Sequence, residues 1–173
     1  TVLLHLLNRK IPPQAVMEGN IKGGEKSVLV NQRFDQMIAD QFSFQDNLKF
    51  ACIDRFPRPF APLKKPYFFP DFIEKFHIDI AKPASKLSGG QRQILALLMA
   101  LQQKQDILLL DEPTATLDEQ NAVIVFEFLK TLTQRNLTLL IVCHDRDLVN
   151  EYADGQHLYL EMDADGARQL KSI

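Results

Sequence analysis

Two apolar runs leave this chain little freedom in how it folds. Residues 106–111 read Asp-Ile-Leu-Leu-Leu-Asp, and residues 137–143 read Leu-Thr-Leu-Leu-Ile-Val-Cys. Each is short and almost without a polar face, the pattern of a strand covered on both sides. Helical patterns surround them: one led by Gly89 and Gly90 and running through Leu101, one across Ala122–Leu132, one from Asp145 to Tyr152. Apolar strands alternating with helices imply an α/β fold, with a parallel sheet packed by helices on both faces.

The rest of the chain reads less regularly. Val2, Leu3, Leu4, Leu6 and Leu7 make residues 2–8 a helix that is apolar nearly all round, and so predicted to be buried. Pro12, Pro13, Gly19, Gly23 and Gly24 then suit short antiparallel strands with turns, before a compact strand, Ser-Val-Leu-Val-Asn, at 27–31. Helical patterns around Gln45–Ile53 and Pro70–Phe76 flank a segment holding five of the nine prolines, which reads as a long surface loop over residues 56–70. The end of the chain suggests two short strands, His-Leu-Tyr-Leu-Glu-Met and Gly-Ala-Arg-Gln-Leu-Lys, around a turn at Asp165-Gly166.

At 173 residues, 46% hydrophobic and 24% charged, the sequence suits one domain with a real core. A net charge of -2 gives no basic footprint for a polyanion, so no nucleic-acid partner is expected. Cys52 and Cys143 lack metal-like spacing and read as reduced thiols of a cytosolic protein. No run approaches the roughly 18 apolar residues of a membrane span. The opening Thr-Val-Leu-Leu-His-Leu-Leu has neither the basic start nor the cleavage site of a signal peptide.

Three clusters carry chemistry. Asp111 and Glu112 end an apolar strand and therefore stand at the carboxyl edge of a parallel sheet, where open α/β folds bind ligands. There the first acid suits Mg²⁺ and the second an attacking water, although two acids also suit caps for a helix starting near Thr116–Asp118. Ser88, Gly89 and Gly90 open a helix and offer backbone N–H groups to phosphate beside its positive end, or form an ordinary N-cap. Ser88 lies 23 residues before Asp111. His144 follows the second apolar strand at the same edge, placed to donate to a phosphate or a water. His5, His77 and His157 have no such setting.

Leu-Ser-Gly-Gly-Gln-Arg-Gln at 87–93, Ile-Leu-Leu-Leu-Asp-Glu-Pro-Thr-Ala-Thr-Leu-Asp at 107–118 and Val-Cys-His-Asp at 142–145 resemble, in order and spacing, the ABC ATPase family. The resemblance implies a P-loop NTPase (RecA-like) parallel sheet core with a small helical signature subdomain. It implies that Ser88, Gly89, Gly90 and Gln91 form the signature motif, which contacts ATP bound to the opposite subunit. Asp111 resembles the Walker B aspartate for Mg²⁺, Glu112 the catalytic glutamate, His144 the switch histidine and Asp118 the D-loop aspartate. Gln32 resembles the Q-loop glutamine that reaches Mg²⁺ and the attacking water. One domain is then expected, with core and antiparallel strands at 1–43, the helical subdomain at 44–103 and the catalytic core at 104–173.

Departures are specific. No Gly-rich loop ending in Gly-Lys-Ser/Thr occurs in the sequence; Gly23-Gly24-Glu25-Lys26-Ser27 continues into a strand instead of a helix. Thr1 and the leucines after it resemble the Ser/Thr and the leucine-rich helix that come after the lysine of that loop in the family. On that alignment Thr1 is the magnesium-binding hydroxyl. The expectation is a longer polypeptide, or another source for the missing strand. Ala115-Thr116-Leu117-Asp118 stands where the family usually has Ser-Ala-Leu-Asp, moving the hydroxyl by one residue, and Asn31 precedes Gln32 where an aromatic or aliphatic residue is common.

The 56 residues from Gln32 to Ser88 leave room for a helical subdomain and none for a long coiled coil, unlike the chromosome-maintenance branch. The resemblance thus implies a transporter ATPase using ATP and Mg²⁺ and paired with a second ATPase subunit. Transmembrane permease subunits and a substrate-binding protein are the further partners, and the place is the cytoplasmic face of the membrane. Alternatives are a soluble ABC ATPase of ribosomes or nucleic acid, and an inactive ABC-like fragment. The Pro-rich loop, with Arg58, Lys64, Lys65 and five aromatics, either docks a membrane partner or tucks onto its own subdomain.

Overall fold

A computed structural model describes residues 2–9, 26–53, 64–153, 155, 158–162 and 168–172. Three strands form a parallel sheet in the order β1-β2-β3: β1 (Ser27–Val30), β2 (Ile107–Asp111) and β3 (Thr138–Val142). Val30 pairs with Leu110, and Asp111 with Val142, so all three strands end along one edge. Central β2 is the most deeply covered, with Leu108, Leu109 and Leu110 at most 1% exposed. This is the two-sided burial its continuous apolar run requires.

Between β1 and β2 the chain forms α2 (Phe44–Ala51), α3 (Pro70–Lys75) and α4 (Gly89–Ala100). Helix α4 is buried at every position from Gln93 to Ala100 and forms the spine of the larger core, against α2 and β1. Its start is a capping box: Ser88 Oγ accepts from Gln91 N–H while Gln91 Oε1 accepts from Ser88 N–H. Helix α5 (Glu119–Thr133) buries Ala122, Val125, Phe126, Leu129 and Leu132, one stripe at helical spacing. Helix α6 (Arg146–Tyr152) is capped by Asp145 and closes a smaller cluster of Ala122, Phe126 and Leu148. An antiparallel pair, β4 (Leu158–Met162) and β5 (Arg168–Ser172), follows α6 in the chain.

The first helix corrects an expectation. In α1 (Val2–Leu7) only Leu4 is buried, while Val2 is 59% exposed. An apolar sequence does not force burial when a short helix rests on the sheet by one side, as α1 does against β1 and β2. Of the Pro-rich loop, residues 54–63 lie outside the described residues, as do the expected antiparallel strands at 10–25 and the turn at Asp165-Gly166. The described part of the loop is pinned. The Gln102 amide donates to Tyr67 C=O at 2.9 Å and accepts from Tyr67 N–H at 2.8 Å. Phe69 packs edge-on against Phe128 of α5, so this ring tucks onto the protein itself, while Tyr67 is 55% exposed.

Two polar anchors, one buried and one partly exposed, tie the segment after β1 to the helices. Asn47, fully buried in α2, accepts from Ala39 N–H and donates to the carbonyls of Ala39, Phe42 and Ser43. Arg92, 17% exposed, donates to Asp35 and Asp40 at 2.7 Å each and to Ala84 C=O at 3.0 Å. One guanidinium thus fastens α4 to the stretch beyond Gln32.

Candidate functional site

The carboxyl edge of the sheet gathers the predicted residues. Gln32 lies two residues beyond β1 and is exposed, Asp111 is the last residue of β2, Glu112 comes directly after it, and His144 lies two residues beyond β3. Asp111 is 3% exposed and Glu112 9%. Neither acid caps the next helix: Asp118 does, accepting from Asn121 N–H at 2.9 Å. The capping alternative for the acid pair is therefore excluded by position.

Glu112 has an unusual backbone. Five described non-glycine residues hold positive φ, and Glu112, at 57°, is the buried one among them. That conformation costs about 1–2 kcal/mol, and three hydrogen bonds hold it. Glu112 N–H donates to Val142 C=O at 2.9 Å, while its own C=O accepts from Gln93 Nε2 at 2.9 Å and Ala115 N–H at 3.3 Å. The carboxylate is turned toward His144, whose Nε2 lies 3.1 Å from Oε1. The contact is close but not aligned as a hydrogen bond, and Oε1 has no hydrogen-bond donor among the described residues. A buried carboxylate beside an exposed imidazole is an arrangement with the groups that proton transfer and polar positioning need.

The electrostatics around the pair are acidic. Burial pushes the Cys143 thiol above its ordinary range, and the charges of Glu112 and Asp145 add to that. Among the described residues, no three His, Cys, Asp or Glu side chains come together as a metal cage. Asp111 offers one buried carboxylate at a strand end, a donor type that suits Mg²⁺, which takes one or two carboxylates and completes its shell from water and phosphate. Thr1, the second predicted ligand, lies outside the described residues.

The Ser-Gly-Gly turn packs on the loop beyond Glu112. An added Cβ on Gly90 would stand 2.6 Å from Leu117 Cδ2, so this glycine answers a close approach within the chain. Ser88 and Gly89 face solvent. Gln91 is half-buried and donates to Phe76 C=O at 3.2 Å. A shallow apolar groove between Phe68, Pro70, Ile73, His77 and Ile80 lies among the helices, away from the acids.

A parallel sheet with two acids, a histidine and a capped Ser-Gly-Gly helix at its carboxyl edge defines a nucleotide-handling α/β protein. The ABC transporter family pattern matches residues 1–115. The chain belongs to that family, whose domains bind ATP and are ATPases. The glutamine transport ATP-binding protein GlnQ of Bacillus subtilis is 39% identical over 85 residues, covering 48% of this chain and 35% of GlnQ. Among solved structures, the RNase-L Inhibitor overlays 98% of this chain with a TM-score of 0.74 at 22% identity, using 31% of its own length. The dimeric ATP-binding cassette MJ0796 in a post-hydrolysis state, bound to ADP and Pi, overlays 71% of this chain and 54% of its own, TM-score 0.55, 22% identity. These two likenesses establish the fold. The chain matches less than half the length of the curated relatives, and no described helix is long and apolar enough to cross a membrane.

Proposed function

We propose that this chain is the ATP-binding and hydrolysing part of an ABC transporter subunit, in which ATP-driven dimerisation drives solute transport through a membrane partner. The observation that carries the proposal is Glu112: a buried carboxylate held in a strained backbone 3.1 Å from His144 at the sheet's carboxyl edge. Glu112 orients the attacking water and draws its proton. His144 holds the γ-phosphate. Asp111, with Thr1 and Gln32, would hold Mg²⁺, which when bound neutralises phosphate charge. Catalysis is then mainly positioning and charge stabilisation.

Ser88, Gly89, Gly90 and Gln91 reach the ATP held by a second subunit, and Asp118 stands at the interface between the two. On this proposal residues 1–43 and 104–173 form the ATPase core and 44–103 the helical subdomain, seated on the cytoplasmic face of a membrane against permease subunits. GlnQ and its like, named for transport, support the transporter assignment. The second reading is a soluble ABC ATPase, which would share this fold; the overlay on the RNase-L Inhibitor, at 22% identity, speaks to the fold alone.

In the intact polypeptide, Ser88→Arg abolishes ATP-induced dimerisation on size exclusion while nucleotide still binds the monomer. Loss of monomer binding as well would remove the trans role of Ser88. Sedimentation of the native protein with membranes supports the transporter reading; sedimentation with ribosomes supports the soluble one.

A further inference from the structure

We propose that Gln93 is a positioning residue for Glu112, and that the Thr116 hydroxyl belongs to the same device. This rests on the catalytic role proposed for Glu112. Gln93 is 4% exposed, near the start of a helix otherwise apolar from Ile94 to Ala100. Its amide Nε2 donates to Glu112 C=O at 2.9 Å. Its Oε1 accepts from Thr116 N–H at 3.2 Å and from the Thr116 hydroxyl. The partners settle the amide's orientation, because a carbonyl can only accept and a backbone N–H can only donate.

The geometry makes one side chain the clasp of a loop. Residues 112–116 leave β2, turn at the positive φ of Glu112 and run toward α5, and Gln93 grips both ends of that turn. Gly90, one helical turn before Gln93, supports the same contact by admitting Leu117 against α4. Without Gln93, the Glu112 carbonyl keeps only the longer bond from Ala115 at 3.3 Å. The strained peptide then relaxes more readily, and the carboxylate moves relative to His144. The hydroxyl is a feature of this sequence: Thr116 stands where the resemblance expects alanine.

An amide suits the task because it donates and accepts from one rigid plane. Gln93→Glu keeps an acceptor for Thr116 but sets a carboxylate oxygen against the Glu112 carbonyl. Gln93→Leu keeps the volume and loses every bond. Thr116→Val removes only the hydroxyl from an exposed position.

The test is steady-state ATP turnover of the intact polypeptide with these three variants and Glu112→Gln, alongside thermal melts and ATP-induced dimerisation. Gln93→Leu and Gln93→Glu should lower kcat by roughly 10–100-fold, the scale of a misplaced catalytic group. KM for ATP should stay within about twofold and the dimer should still form, because only the chemical step is affected. Thr116→Val should lower kcat about threefold or more, an effect of the hydroxyl alone. A folded Gln93→Leu with normal kcat, while Glu112→Gln is inactive, overturns the positioning role and leaves the function intact. If the Gln93 variants fail to fold, normal turnover in Thr116→Val overturns the claim that Gln93 and the Thr116 hydroxyl act as one device. Normal turnover in Glu112→Gln would instead bring down the assignment of Glu112 itself.

Discussion

Glu112 combines two properties that seldom meet by accident: burial and a left-handed backbone. Strain of this kind persists where surroundings over-determine a residue, and it gathers at functional sites. The acids and the histidine are legible in sequence because apolar strands announce where they end, and the Ser-Gly-Gly turn because it opens a helix. Gln93 was not. A glutamine beside an apolar run gives no periodic signal, and its partners lie 19 and 23 residues away. The one available hint is that a polar residue opening a continuously apolar helix must find hydrogen bonds inside. Gly90 was legible as a special glycine, but its neighbour, Leu117, was not. Gly90→Ala should push Leu117 aside and destabilise the protein by about 1 kcal/mol, the low end for overpacking, because the clash falls on a side-chain tip. Thermal unfolding measures this, and an unchanged melt would mean Leu117 moves freely.

At the scale of elements, caps explain where the helices begin. Asp118 caps α5, and hydrogen bonds from Asn121, first from its backbone N–H and then from its side chain, hold the carboxyl below its usual range. Its contribution to stability is therefore fully present above the unfolded carboxyl value of about 3.9 and is lost as pH falls through the lower folded value. Asp118→Asn, an equally good cap, should flatten that part of the acid unfolding curve; an unaltered curve would place the acid sensitivity elsewhere. The Arg92 clasp crosses 57 residues to Asp35 and 52 to Asp40, a pairing invisible to any local pattern. Arg92→Lys cannot reproduce the forked geometry. Both acids are more than half exposed, so screening limits the loss to about 1 kcal/mol, read as a melting temperature lower by about 2–4 °C. The α1 expectation failed for the opposite reason: local apolarity was clear, while the extent of its support is a tertiary matter.

For the whole molecule, the fold class came from the strands, since β2 cannot be covered on both faces except between helices. The strand order could not be read, because pairing between strands dozens of residues apart leaves no local trace. Leu110 is fully buried beside Asp111 in the central strand. Leu110→Ala should cost about 2–5 kcal/mol, a fall in melting temperature of roughly 5–15 °C, because the cavity lies where sheet and helices meet. A shift of a degree or less would contradict the central place given to β2. The helices around this sheet bring α4, the 112–117 loop and the ends of three strands to one edge, and the chemistry proposed for the chain depends on that edge. The most informative single measurement is ATP turnover by the intact polypeptide, wild type against Glu112→Gln. Turnover abolished in the variant, with an ATP-bound dimer accumulating, is the predicted result. Hydrolysis at the wild-type rate would contradict it and move the chemistry away from Glu112.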